Sequence, residues 1–107
     1  MKMDTLTKVV DGEVISSLTI YFVDLPSRRL AVIEEVYTKP EHRGKGHATD
    51  LIQQAIAHAK KMDAQCIELT VRQDSPHIQE FYKHLGFYDR MQVAMRYDIK
   101  PMKPWNP

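Results

Sequence analysis

Cysteine is nearly absent from this chain. Cys66 stands alone among 107 residues, so no disulfide can close within it, and a reducing, cytoplasmic setting is the expectation. The same shortage argues against structural zinc, because five histidines have only one cysteine to join them. No ligand pair stands at finger spacing, and no metal is expected. Long apolar runs are lacking, which excludes a membrane-spanning helix in this sequence. Met1-Lys2-Met3-Asp4 holds no apolar leader segment. A charge of one sign is lacking as well. The net charge is +1 with the basic residues dispersed, the opposite of the clustered basic face that binds nucleic acid. Repeats and low-complexity stretches are also missing. A single domain over residues 1–99 is expected, followed by an extended tail over 100–107 that holds three prolines and Trp105.

What is present is an orderly alternation of strand and helix patterns. Leu6–Val10 is a short apolar run, and Asp11-Gly12 after it is a two-residue hairpin signal. Glu13–Asp24 is rich in β-formers. It carries Val14, Leu18, Ile20 and Phe22 on one face and Ile15, Tyr21 and Val23 on the other. That reads as an inner strand covered on both sides. Leu30–Thr38 is the next strand. From about Gly46 to Met62, Ala48, Leu51, Ile52, Ala55, Ile56, Ala59 and Met62 recur at helical spacing. Ile67–Arg72 alternates as a half-buried strand does. Ser75-Pro76 opens a second helix, with Ser75 as N-cap, an inner face of Ile78, Phe81, Tyr82 and Leu85, and Gly86 as its stop. Met91–Ile99 reads as a last strand. The order β-β-β-α-β-α-β predicts an α+β fold with a mixed sheet: hairpins make the first three strands antiparallel, and the strand–helix–strand unit after them is parallel.

Between the third strand and the first helix runs Thr38-Lys39-Pro40-Glu41-His42-Arg43-Gly44-Lys45-Gly46-His47-Ala48. A helix start leaves amide N–H groups without partners, and its dipole favours negative charge. Glycines let the backbone approach a ligand closely. Arg43 and Lys45 add positive charge. The loop predicts a phosphate-bearing ligand held mainly by main-chain donors. The spacing fits neither the P-loop nor the dinucleotide fingerprint.

Arg43-x-x-Gly46-x-Ala48 resembles the coenzyme A loop of the GNAT superfamily of N-acetyltransferases. Phe81-Tyr82-Lys83-His84-Leu85-Gly86-Phe87 resembles that family's downstream aromatic-Tyr-x-x-x-Gly-Phe segment. The resemblance spans roughly Leu6 to Ile99. It implies an acyl-CoA N-acyltransferase fold with helices packed on the sheet. It also implies transfer of an acetyl group from acetyl-CoA to a primary amine by direct attack in a ternary complex. A non-catalytic acyl-CoA-binding or regulatory module of the same fold is the alternative. Relatives usually begin with a further strand and two helices that wall the acceptor. This short form lacks them, which implies either a large acceptor, such as a protein amino group, on an open face, or a wall shared in a homodimer. The dimer is preferred.

By the same resemblance, Val36, Tyr37 and Thr38 pair with the pantetheine arm, and Arg43, Gly44, Lys45, Gly46, His47, Ala48 and Thr49 cradle the pyrophosphate. His47 departs from the apolar residue common in relatives. Tyr82 matches the tyrosine proposed to protonate the leaving sulfur, though its place beside Ile78 and Phe81 suits a core aromatic equally. Ser75 stands where relatives often touch the cofactor backbone with asparagine, and the capping role is favoured. Glu34 matches a water-mediated base in some relatives. It neighbours Glu35, and on a regular strand the two point to opposite faces. Cys66 reads as a small buried hydrophobe. His42, His58, His77 and His84 read as surface residues without an evident partner.

Overall fold

In a computed structural model, residues 2–104 are described. Met1 and residues 105–107 lie outside them, and with them Trp105 and the end of the predicted tail. The chain forms two compact units, Met1–Leu69 and Thr70–Pro107. The first holds strands β1 (Lys2–Val10), β2 (Glu13–Asp24) and β3 (Arg29–Thr38), a 3₁₀ turn (Pro40–His42), helix α1 (His47–Lys61) and strand β4 (Cys66–Glu68). The second holds helix α2 (Pro76–His84).

The sheet has the order β1-β2-β3-β4. The first three strands are antiparallel, and β4 runs parallel to β3. Asp11-Gly12 makes the expected tight turn: Val10 pairs with Glu13, and both loop residues have positive φ, 50° and 77°, as a type I′ turn requires. Helix α1 packs its Leu51, Ile52, Ala55 and Ala59 against the sheet face built by Leu18, Ile20, Phe22, Ala31 and Ile33. Helix α1 covers β2 on this face. The residues of the opposite face, from Ser17 to Val23, are half-buried.

Arg29 joins these layers. Its Nε and Nη2 donate to the Asp24 carboxylate at 2.6 and 3.3 Å, and its Nη1 donates to the Met62 carbonyl at 2.9 Å. An end-of-helix carbonyl without an intrahelical partner is thereby satisfied. The Arg29 carbonyl accepts from Gln65 N at 3.0 Å, which starts β4 in register. Only Leu30, Ala31 and Val32 then pair with Cys66, Ile67 and Glu68. The strand expected over Ile67–Arg72 is therefore three residues long and begins one residue earlier. Alternation of Leu69 and Val71 supplies a side-chain pattern, but no ladder continues beside it.

Helix α2 ends in a Schellman motif. Phe87 N donates to Tyr82 O at 3.1 Å, Gly86 N donates to Lys83 O at 3.0 Å, and Gly86 adopts φ 98°. The Tyr82 and Phe87 rings meet edge to face at 5.5 Å, the apolar contact that accompanies this stop. Of the expected inner face, Tyr82 is buried and Ile78 is exposed. Ser75 occupies the N-cap position, but its side chain makes no capping hydrogen bond. Its carbonyl instead accepts from Ile78 N and Gln79 N, both at 3.1 Å. The last expected strand, Met91–Ile99, is not formed among the described residues. Its alternation is regular, but among the described residues no strand pairs with it.

Helix α1 ends in the same motif with a non-glycine residue at the left-handed position. Ala64 N donates to Ala59 O, Asp63 N donates to Lys60 O, and Asp63 sits at φ 62°. A left-handed L-residue costs roughly 1–2 kcal/mol, partly offset in glycine by chain entropy. Asp63→Gly is expected to stabilise the protein by about 0.5–1 kcal/mol, read as a rise of several degrees in Tm.

Candidate coenzyme site at the end of the third strand

The site begins where β3 stops being a regular strand. Ser17 pairs with Tyr37 and Thr19 with Glu34, so Leu18 faces both Glu35 and Val36. That is a β-bulge, two residues opposing one. Glu35 takes φ 55° to make it, a conformation that costs energy in any residue with a Cβ. The bulge reverses which side chains and amides face each way beyond it. Glu34 and Glu35 are both exposed, and neither carboxylate is buried in the apolar layer. Glu35, at φ 55°, departs from the regular strand conformation expected of the pair.

Ser16 secures the bulged end. Its hydroxyl donates to the Tyr37 carbonyl at 2.9 Å and lies 2.8 Å from Thr38 Oγ1. The residue is 1% exposed. A second bulge, in β2 between the Lys8 and Val9 pairings, turns both Ile15 and Ser16 inward. The Ile15 carbonyl accepts from Lys39 N at 2.8 Å, so the chain leaving β3 is tied down on both sides. Sequence reasoning passed over Ser16. The available signal was a small hydroxyl within an apolar strand. Beyond Val32, no strand among the described residues lies alongside β3 on the β4 side. An extended ligand with amide groups could add there in the manner of a strand.

The loop that follows has the geometry of an anion cradle. Gly44 and Gly46 adopt φ 75° and 84°, and a Cβ built on either would meet nothing within 4 Å. What requires glycine is therefore the backbone angle and the open space in front of it. Gly46 is the N-cap of α1 and has no side-chain cap. The first intrahelical bond runs from Asp50 N to Gly46 O at 3.1 Å. The amides of His47, Ala48 and Thr49 precede that ladder and carry the positive end of the helix dipole. Successive N–H groups around left-handed residues make an anion-binding concavity.

The loop's side chains are tied to this frame. Arg43 Nε donates to the Thr38 carbonyl at 2.9 Å, and its guanidinium lies 5.6 Å from the centre of the Tyr37 ring. Arg43 thus fastens the loop to the strand end while keeping its charge at the cradle. His47 meets His42 edge to face at 6.1 Å. Lys45 is exposed. Asp50 in the first turn of α1 is paired with Lys8 Nζ at 3.0 Å. Glu13, Glu41 and His42 offer ligand atoms within 4.8 Å of one another. Lys39 Nζ pairs with Glu13 and holds its carboxyl below the usual range, which makes this an ion-pair cluster.

Val36, Tyr37, Thr38, Arg43 and the residues from Gly44 to Thr49 are thus brought together on one continuous stretch. Ser75 and Tyr82 belong to the second unit. Tyr82 is 9% exposed, and burial pushes its phenol above the ordinary value of 10.0. It is therefore a neutral, proton-bearing group at physiological pH. Its ring is fixed between Phe81 at 5.0 Å and Phe87 at 5.5 Å. Cys66 is a half-buried free thiol at the start of β4. Two histidines have partners that the sequence did not reveal. His58 Nε2 lies 2.9 Å from Asp4 Oδ2 with its ring on Phe22, and His84 Nδ1 lies 2.8 Å from the Glu80 carbonyl.

Ser16→Ala removes a buried hydroxyl that bonds the part-buried Tyr37 carbonyl and Thr38 hydroxyl. It is expected to lower stability by about 1–3 kcal/mol, measurable by urea unfolding. It is also expected to weaken binding of an extended ligand at the β3 edge, because the bulged strand end loses its anchor. Ser16→Thr is expected to restore part of both.

Three comparisons bear on this geometry. The acetyltransferase (GNAT) family model matches residues 4–87. An uncharacterized N-acetyltransferase of Methanocaldococcus jannaschii is 39% identical over 70 residues, which cover 65% of this chain and 31% of that protein. The chain thus matches about a third of the length of this curated relative. A transcriptional regulator from Bacillus halodurans superposes with TM-score 0.84 at 25% identity, covering 90% of this chain and 66% of its own. An acetyltransferase of Trypanosoma brucei superposes with TM-score 0.80 at 22% identity, covering 91% and 69%. The structural likenesses show the fold. The family match spans the bulged strand, the two-glycine loop and the Tyr82–Phe87 helix stop, and this chain belongs to the GNAT acetyltransferase family.

Proposed function

We propose that this protein transfers an acetyl group from acetyl-CoA to a primary amine, acting in a reducing, cytoplasmic setting and as a homodimer. One observation carries the proposal: an open strand edge at the end of β3 runs directly into a two-glycine loop at the N-terminus of α1. Those two features match the two chemical halves of coenzyme A. The Gly44–Thr49 amides suit a diphosphate, and the β3 edge suits the amides of the pantetheine arm.

Acetyl-CoA would supply a thioester carbonyl as the electrophile. The amine nitrogen bonds to the carbonyl carbon, the carbon–sulfur bond breaks, and the sulfur leaves with the electron pair. The protein has three tasks. The β3 backbone at Val36 and Tyr37, re-aimed by the bulge, donates to the carbonyl oxygen as charge builds on it. An amine with an ordinary pKa of about 10.4 is mostly protonated at neutral pH, so its proton must be removed. Glu34, solvated at the bulge, serves as the acceptor through water. Tyr82 gives its phenolic proton to the departing sulfur. A phenol is neutral at physiological pH and carries the proton to be given.

Saturating acetyl-CoA is expected to raise the melting temperature, since ligand at about 100 times Kd adds roughly 2.7 kcal/mol. No heat by calorimetry and no thermal shift would overturn the proposal. Gly46→Ala forces an L-residue to φ 84° and is expected to weaken acetyl-CoA binding on the order of tenfold or more, about 1.4 kcal/mol. Tyr82→Phe is expected to lower kcat roughly 10²- to 10⁴-fold with acetyl-CoA affinity retained, measured as amine-dependent thiol release. Tight coenzyme binding without any such release from the unmodified protein would identify an acyl-CoA-binding module instead.

A further inference from the structure

Helix α1 is held to the sheet by charge as well as by its apolar face. Asp4, Leu6 and Lys8 alternate along β1 and stand opposite Ile20, Leu18 and Ser16 of β2. Partners in an antiparallel ladder share a face, and here it is the face that α1 covers. Two of these residues reach the helix. Asp4 Oδ2 lies 2.9 Å from His58 Nε2 in its last turn, and Lys8 Nζ donates to Asp50 Oδ2 at 3.0 Å in its first. The spacings agree: eight helical residues rise about 12 Å, and four strand residues about 13 Å. Strand β1 therefore runs along α1, with Lys8 at the end where the glycine loop enters.

Lys8 is also in register with the bulged corner. It stands opposite Ser16, and Ser16 stands opposite Thr38, the last two with hydroxyls 2.8 Å apart. The row Lys8–Ser16–Thr38 thus crosses three strands on the face that carries α1. Asp50 lies in the first turn of that helix, past the Gly46 cap. Helical side chains tilt toward the N-terminus, so the Asp50 carboxylate leans toward the Gly44–Thr49 amides. A negative charge at this position suits the helix dipole in the free protein and repels a diphosphate that docks there. We propose, resting on the coenzyme reading above, that Lys8 is a positioning residue for coenzyme binding. By pairing with Asp50 it cancels the one carboxylate in the first turn of α1 and leaves the cradle open to a dianion. Lys8 lies outside both sequence motifs of the family resemblance, and it acts through Asp50 rather than by touching the ligand.

The test is calorimetric titration of the full chain with acetyl-CoA at low salt. Lys8→Met leaves Asp50 uncancelled and is expected to weaken binding roughly three- to tenfold. High salt is expected to shrink that loss. Lys8→Arg keeps the charge and is expected to keep the affinity. Adding Asp50→Asn to Lys8→Met is expected to restore binding, because the repelling charge is gone even though the tie between helix and strand is still missing. All four proteins are expected to share one urea midpoint, since a partly exposed ion pair contributes little to stability. Lys8→Met that binds as tightly as the unmodified chain would overturn the proposal. So would failure of Asp50→Asn to rescue it, or a fall in the urea midpoint that accompanies the lost affinity, because either outcome makes Lys8 a structural tie alone. An unmodified chain that gives no heat with acetyl-CoA would sink the coenzyme reading itself.

Discussion

The candidate site depends on one constraint, the bulge that takes β3 out of register with β2 just before its end. Leu18 faces two residues there, Glu35 and Val36, and Glu35 is held at φ 55°. A strand of L-residues does not adopt that angle without compensation. The compensation is local and buried: the Ser16 hydroxyl reaches the Tyr37 carbonyl and Thr38 Oγ1, and Lys39 N reaches the Ile15 carbonyl. These bonds lie within an apolar layer, where a missing partner is costly. They convert a weak point of the ladder into a fixed corner. Past that corner the backbone is aimed into the loop, and with β4 ending at Glu68 no strand of the first unit shares its edge.

The main-chain recognition proposed for the loop builds on this corner. A diphosphate is a diffuse dianion, and converging amides with a helix dipole match it without the desolvation that buried ammonium groups would require. Lysine is accordingly peripheral here: Lys45 is exposed, and Lys39 is engaged with Glu13. Arginine acts structurally as much as electrostatically, because Arg43 spans from the loop to the Thr38 carbonyl and the Tyr37 ring. Arg29 does comparable work at the other end of β3, between Asp24 and the end of α1. The strand carrying the site is clamped by a guanidinium at each end, and this limits how far helix α1 can drift from the sheet.

What the sequence revealed and what it hid divide along a physical line. Signals set by one residue's backbone preference were readable. Asp11-Gly12 turned as expected, Gly46 opened α1, and Gly86 closed α2. The amphipathic face of α1 was readable because burial follows period 3.6 over its whole length. Features set by pairing between distant segments were not. Nothing in Glu34-Glu35-Val36 announces a bulge, since the extra residue is defined only against Leu18 on another strand. The role of Ser16 was hidden for the same reason, as its partners lie 21 and 22 residues away. Alternation overstated strands at both Ile67–Arg72 and Met91–Ile99. It reports which faces a segment offers, and a ladder also needs a neighbour.

The Phe81–Phe87 segment shows how one short motif can serve packing and chemistry together. A Schellman stop places its third-last helical residue against the residue after the glycine. In this chain those residues are Tyr82 and Phe87, whose rings meet at 5.5 Å. The helix stop therefore fixes the orientation of the tyrosine, and burial against two aromatic rings keeps its phenol protonated. A core aromatic and the proposed proton donor are not competing roles for this residue. The packing that would suffice for the first also supplies the immobility that the proposed second role requires. Glycine at position 86 is needed for the same reason: at φ 98° a side chain would strain the stop and loosen the ring.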